Sequence, residues 1–347
     1  MDIQQLLDAE LHAISKDLAP LAELQASRED ELLAKENVVG VGIGHKVKDG
    51  EDTGTNCIQV HVRQKMPEEL LTKGDVVPKT MDRRPTDVIE IGDVFALGTA
   101  DATRTLEAGS QELAAGAPHG VEPLVLRERV RPVRPGYSVG HPDVTAGTIG
   151  AGCYDLTPVP GKPPRYYVLS NNHVIANSNG ANLGDPIIQP GRVDGGLGPR
   201  DVIGQLSRFV PIRFDGRCNT VDAAVAEVPF HLLDRDIYWI GVPRSLAVAA
   251  QVGMLVRKTG RTTNFTTGRV TAINETVNVN FGGGRVARFC RQIVTTDMSA
   301  GGDSGSLVVD TEHGGNPVGL LFAGSPTATI LNPIASVQIA LRVRLWP

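Results

Sequence analysis

Along the first 35 residues, Leu7, Leu11, Ile14, Leu18 and Leu21 recur every three or four positions among charged neighbours, the spacing of one helical face. Pro20 is tolerated in the first turn of a helix but not in its interior. The pattern over residues 2–35 therefore predicts two short helices or one bent one. The same seam makes homo-oligomer formation through the N-terminal helices an expectation, beside the commoner use of so short a seam in packing against its own body.

At residue 38 the period changes. Residues 38–47 read as a strand with glycines at 40, 42 and 44, and over 57–63 apolar Ile58, Val60 and Val62 alternate with Gln59, His61 and Arg63, the mark of half-buried sheet. Residues 67–71 read as a helix start and 86–91 as a third strand. A small β-β-α-β domain is thus expected over 36–98, after a helical segment at 1–35. Residues 99–133 carry no sustained period and are rich in Ala, Gly, Pro and charge, as linkers are. The last unit, 134–347, holds short runs at sheet spacing: 147–155, 165–169, 201–210, 223–228, 254–258, 268–274, 288–295, 307–309 and 318–323. Strands divided by turn clusters, without crossover helices, predict an antiparallel barrel or sandwich. The fold expected is mainly β.

Composition agrees with that pattern: 39 Gly, 23 Pro and 4% aromatics favour turns and short strands over long helices. A net charge of -5 supplies no basic field, so nucleic acid and anionic membranes are not expected partners. No window approaches the roughly 18 apolar residues of a membrane span, and residues 1–5 show neither the basic region nor the apolar core of an export signal. Cys57, Cys153, Cys218 and Cys290 lie far apart with no Cys-x-x-Cys spacing, which argues against a zinc site or a dense disulfide framework. A cytoplasmic location is the resulting expectation. No cofactor is expected either: His45 stands where the glycines at 40 and 42 would need a third to make a dinucleotide fingerprint, and no helix is expected directly after it.

Candidate chemistry starts at Ser304, in a turn with glycines at 301, 302 and 305 that runs directly into apolar Leu307, Val308 and Val309. Glycines let a backbone take positive φ and aim its amides at one point, as an oxyanion site needs. His173 follows the apolar run 166–169, a position that holds an imidazole on a rigid edge, and the unperturbed pKa of histidine suits a general base. Asp222 opens the apolar run 223–226; a carboxylate in such company must be paired, and a histidine N–H is a suitable partner. Taken singly, each has an ordinary reading as hairpin turn, core histidine or strand-edge carboxylate.

Together, in the order histidine, aspartate, serine, the segments 169–175, 220–226 and 302–309 resemble those of the trypsin-like serine peptidases. Residues 257–268 and 147–152 resemble the bacterial branch of that family, and the likeness covers roughly 134–345. The resemblance implies a double antiparallel β-barrel, preceded here by helices and a small α+β domain, that hydrolyses protein or peptide substrates. It implies His173 as base and then acid, Asp222 as its orienting partner and Ser304 as the nucleophile that forms an acyl-enzyme. The amides of Gly302 and Ser304 would form the oxyanion hole, Phe322, Ala323 and Gly324 would line the substrate strand, and Met298 would floor a pocket for small to medium apolar side chains, whereas Asp297, one place earlier, would give a basic preference if the register shifts by one. Ser306 departs from the family's second glycine, and cysteines that bracket several segments in secreted members are missing. Some 130 residues precede the likeness, so the N-terminal domain is expected to regulate the site or hold it latent. The alternative is a catalytically dormant peptidase fold used for binding or assembly. An esterase is disfavoured, because positions 302–306 read Gly-Asp-Ser-Gly-Ser rather than Gly-x-Ser-x-Gly.

Overall fold

A computed structural model describes residues 14–97, 126–156, 164–245, 247–311 and 315–347. Helix α1 (Ala19–Leu33) starts with Pro20 in its first turn, where the missing N–H costs nothing. Its Leu21, Leu24, Leu32 and Leu33 are buried against the chain's own body. Leu7 and Leu11, the first half of the predicted seam, lie outside the described residues.

Strands β1 (Val38–Lys48), β2 (Glu51–Val62), β3 (Thr80–Met81), β4 (Arg84–Glu90) and β5 (Phe95–Ala96) follow. The helix expected from residue 67 is a single exposed 3-10 turn, Glu68–Leu70, too short to bury an apolar face. The rest of the chain carries β6 (Ser138–Val139), β7 (Gly147–Thr148), β8 (Ala151–Asp155), β9 (Tyr166–Ser170), β10 (Pro186–Ile188), β11 (Val202–Phe209) and β12 (Ala224–Val228). Then come β13 (Leu255–Gly260), β14 (Asn264–Asn280), β15 (Val286–Thr296), β16 (Leu307–Asp310), β17 (Pro317–Gly324), β18 (Ala328–Pro333) and β19 (Val343–Leu345). Two short helices stand among them, α2 (Asn172–Ile175) and α3 (Ile334–Leu341).

The fold is the mainly-β, two-barrel class expected. Strands β13, β16, β17, β18, β15 and β14 pair in that order, and the β13–β14 pairing closes them into a barrel. The other sheet runs β10-β11-β12-β9-β8-β19, so the last strand of the chain crosses back to the first barrel. Strand β14 is long enough for two tasks: Asn264 to Arg269 pair with β13, while Ala272 to Val277 pair with β1. Through β1 the strands of 36–98 extend the second barrel's sheet. They share its core as well, with Val41, Ile43, Ile58 and Val60 packed in one cluster with Val256, Val270, Ile293 and Leu331.

The glycines at 40 and 42 have a steric role in that junction. Glu275 of β14 is fully buried, its Oε1 2.8 Å from His61 Nδ1, and burial pushes its carboxyl above the ordinary carboxylate value. A Cβ on Gly40 or Gly42 would overlap its two carboxylate oxygens. Because His61 and the sheet hold Glu275 in place, Gly42→Ala is expected to cost about 1–3 kcal/mol of stability, read as a lower urea midpoint with an unchanged slope.

The four cysteines divide into one pair and two single residues. Cys218 and Cys290 form a disulfide, with Cα atoms 5.7 Å apart across a sequence separation of 72, while Cys57 and Cys153 are free and buried. Spacing along the chain could not reveal the pair, because a parallel bridge between Asn219 and Phe289 brings the two segments together only in the folded sheet. Among the described residues no helix is long and apolar enough to cross a membrane.

Candidate active site

Strand β9 is a fully buried run except at Tyr166, and the chain leaves it through one helical turn, α2, which carries His173. Asp222 lies two residues before β12, the strand that pairs with β9, so the register of these neighbours brings imidazole and carboxylate together. Asp222 is anchored through its backbone: its N–H donates to Asn332 Oδ1 at 3.0 Å, and its carbonyl accepts from Asn171 Nδ2 at 2.7 Å. Its two carboxylate oxygens face His173, Oδ1 accepting the backbone N–H at 3.2 Å and Oδ2 contacting ring Nδ1 at 2.6 Å. Nε2 on the far side of the ring lies 2.8 Å from Ser304 Oγ. His173 is 3% exposed and the other two are fully buried, so each polar contact is made away from bulk water, where it is strongest.

The turn bearing Ser304 is fixed from several sides. Gly302 and Gly305 adopt φ of +99° and +94°, conformations natural to glycine. Strand β7 ties the turn to the first barrel: the Thr148 N–H donates to Ser304 O at 2.7 Å and its hydroxyl to Gly302 O at 2.9 Å. Asp303 points the other way into a buried pair with Lys258 Nζ at 2.9 Å. It also accepts from the Thr263 hydroxyl and from the amides of Thr262, Thr263 and Ala300. Burial alone would raise this carboxyl; the Lys258 charge and the Thr263 hydroxyl overcome it and hold Asp303 below the ordinary carboxylate range. Burial pulls the Lys258 ammonium down from its usual value, against the pull of Asp303.

The residues expected to line the substrate strand are backbone neighbours of Ser304, but they are already occupied. Strand β5 runs antiparallel to β17, with Ala96 opposite Ala323 and Phe95 opposite Gly324. The Leu97 N–H donates to Phe322 O at 3.1 Å. The side chain of Phe322 is fully buried, 4.7 Å from the Phe289 ring. Met298 is buried in the cluster that includes Leu97. The Leu97 carbonyl accepts from the Ser304 hydroxyl and lies 3.4 Å from His173 Nε2.

Sequence reasoning missed two members of this site. Lys258 could have been found: it alternates with Val256 on one face of β13, the inward face, where a lysine must have a partner. Leu97 gave no such signal, since three apolar residues at the end of a unit say nothing of which groove they enter. Among the described residues no cluster of His, Cys, Asp or Glu is arranged to hold a metal ion.

No family model matches the chain. Over 61 residues, 18% of its length, it is 51% identical to glutamyl endopeptidase 2 of Streptomyces griseus, a match that spans 30% of that relative. Among solved structures, it is similar to a glutamic acid-specific serine protease at 21% identity, with 62% of this chain and 100% of that one covered and a TM-score of 0.43. Similar too are Thermobifida fusca protease A (17% identity, 61% and 97% covered, TM-score 0.42) and a Nocardiopsis protease (16% identity, 62% and 99% covered, TM-score 0.43). The proteins that the chain resembles over part of its length are thus bacterial peptidases, among them serine proteases. The chain spans less than a third of the length of the curated relative it matches.

Proposed function

We propose that the chain is a serine endopeptidase in which Ser304 attacks a peptide carbonyl, His173 Nε2 takes and later returns the proton, and Asp222 holds the imidazole in the required tautomer. The observation that carries this reading is the unbroken contact from Asp222 through His173 to Ser304, 2.6 and 2.8 Å long and shielded from solvent. The amides of Gly302 and Ser304 are the oxyanion donors in this reading, each worth about 3 kcal/mol of barrier. Phe322, Ala323 and Gly324 pair with substrate backbone, and Met298 contributes to an apolar pocket. Residues 134–347 form the peptidase unit, and 1–98 an accessory unit that regulates it through the segment 99–133. Self-association rests on the seam before residue 14. Of location, the Cys218–Cys290 disulfide favours an oxidising compartment over the cytoplasm expected from the sequence.

A fluorophosphonate probe is expected to label Ser304 in the wild type and to leave Ser304→Ala unlabelled. Equal labelling of the two, or no labelling of the wild type even after prolonged incubation or limited proteolysis, would replace this reading with that of a dormant binding or assembly module.

A further inference from the structure

Among the described residues, the N–H groups of Gly302 and Ser304 meet no backbone acceptor. What aims the first of them can be traced bond by bond. In a trans peptide the C=O and the following N–H point in opposite directions, so the Gly302 N–H is aimed by whatever holds the Gly301 carbonyl. That partner is Thr262, whose hydroxyl donates to Gly301 O at 2.8 Å. A hydroxyl has one proton to give, and Arg261 Nη1, donating to Thr262 Oγ1 at 3.4 Å, orients the oxygen so that this proton goes to Gly301. The other arm of the guanidinium, Nη2, donates to Asp194 Oδ1 at 2.7 Å, and the two side chains are 8% and 4% exposed. Asp194 lies in the turn between β10 and β11 of the first barrel and is fixed there by the Ser138 hydroxyl at 2.5 Å. Arg261 and Thr262 lie between β13 and β14 of the second barrel, so the contacts from Asp194 to Gly301 cross from one barrel to the other. The guanidinium also fills the space beside Gly302, where an added Cβ would overlap Nη1.

We infer that Arg261 and Thr262 are positioning residues of the oxyanion hole, holding the Gly301–Gly302 peptide so that the Gly302 N–H points at the oxygen that gains charge, with Asp194 of the first barrel as their anchor. This rests on the peptidase reading above, in which that amide is one of the two donors. Both side chains act through the backbone and not on the reacting atoms. Their effect belongs to the step in which charge develops, because a donor aimed in advance stabilises the oxyanion without reorganising. A tilted peptide weakens that stabilisation while leaving the ground-state contacts of the substrate as they were. The peptide needs an outside partner: Gly302 takes φ of +99°, and glycine admits many other conformations. The Thr148 hydroxyl, which accepts the Arg261 N–H at 3.0 Å and donates to Gly302 O, fixes the next peptide and not this one.

The test is the rate at which a fluorophosphonate, whose phosphoryl oxygen gains charge as Ser304 attacks, labels the full-length protein, followed against probe concentration and against pH. Thr262→Val keeps the shape of the side chain and removes its hydroxyl. It should lower the maximal labelling rate about 10- to 100-fold, part of what the loss of a whole oxyanion donor costs. The half-saturating probe concentration should change by no more than about twofold, since ground-state binding is untouched, and the midpoint of the pH profile, which belongs to His173, should not move. Thr262→Ser returns a hydroxyl and should recover most of the rate. In Arg261→Lys the ammonium can still meet Asp194 but has no second arm for Thr262, so the thermal midpoint should stay near that of the wild type while labelling slows about tenfold. Thermal midpoints of every variant separate slow labelling from loss of fold. If folded Thr262→Val labels as fast as the wild type, if Thr262→Ser is as slow as Thr262→Val, if the pH midpoint moves with the rate, or if Arg261→Lys labels at the wild-type rate, the inference fails and the peptidase reading stands. If the wild type itself is not labelled even after limited proteolysis, both fail together.

Discussion

Replacing Asp222 with asparagine is expected to lower turnover of a chromogenic peptide substrate by about four orders of magnitude, roughly 5.5 kcal/mol of barrier. The size follows from how Asp222 is used. Its two oxygens serve two donors on the same residue, the His173 backbone N–H at Oδ1 and the ring Nδ1 at Oδ2. Asparagine has one oxygen. If that oxygen keeps the backbone N–H, the amide NH2 faces Nδ1 and donates to it, so the ring proton moves to Nε2. An Nε2–H cannot accept the proton of Ser304, and the base is lost with every atom still in place. If the amide flips, the backbone N–H faces an NH2 group and the turn holding His173 loses its anchor. The charge that would steady an imidazolium is gone in both cases. The check is kcat for wild type and Asp222→Asn with thermal midpoints compared, and a drop smaller than tenfold in a folded variant would remove Asp222 from the mechanism.

Much of this site was legible in the sequence because local pattern and chemistry coincide there. Ser304, His173 and Asp222 each flank an apolar run, so strand periodicity located them and residue type suggested their roles. The register of β9 against β12, which brings His173 to Asp222, was not readable, since pairing partners leave no mark on either strand alone. The same limit hid the disulfide and the merging of residues 36–98 into the second barrel's sheet. The glycines at 40 and 42 were visible but their purpose was not, because the Glu275 carboxylate that needs their missing side chains comes more than 230 residues later. Strand β18 and helix α3 escaped for another reason: both are buried over most of their length, so the contrast between buried and exposed positions that reveals a period is weak. Leu97 was the hardest, being marked only by the groove it enters.

Lys258→Met is expected to destabilise the protein by about 3–5 kcal/mol, the usual cost of removing one partner of a buried ion pair. The loss falls on the turn that carries the nucleophile. Without the ammonium, the Asp303 carboxylate stays buried with the Thr263 hydroxyl and three amides as its partners, enough to orient it but without a compensating charge. Asp303 immediately precedes Ser304, and the Ser306 hydroxyl donates to the Asp303 carbonyl at 2.6 Å, so a shift of Asp303 moves the attacking oxygen too. Fluorophosphonate labelling should therefore slow even where the variant remains folded. The pH dependence gives the sign of the effect. In the wild type Asp303 is held below its unfolded value, so its stabilisation is fully present above the unfolded carboxylate pKa, about 3.9, and is lost as pH falls through the lower folded value. In Lys258→Met the charge that opposes burial is gone, so the folded value rises from its wild-type position and the cost of keeping the carboxylate buried is relieved sooner as pH falls. The two stability curves should converge toward acid, with the gap in urea midpoint at pH 7 clearly larger than near pH 4. Adding Asp303→Asn removes the stranded charge while keeping an acceptor for the amides, and should restore part of the stability at pH 7 and flatten the difference between the two pH values. A gap that does not change with pH would mean that Lys258 acts by filling space, and that its charge has no part in holding the Ser304 turn.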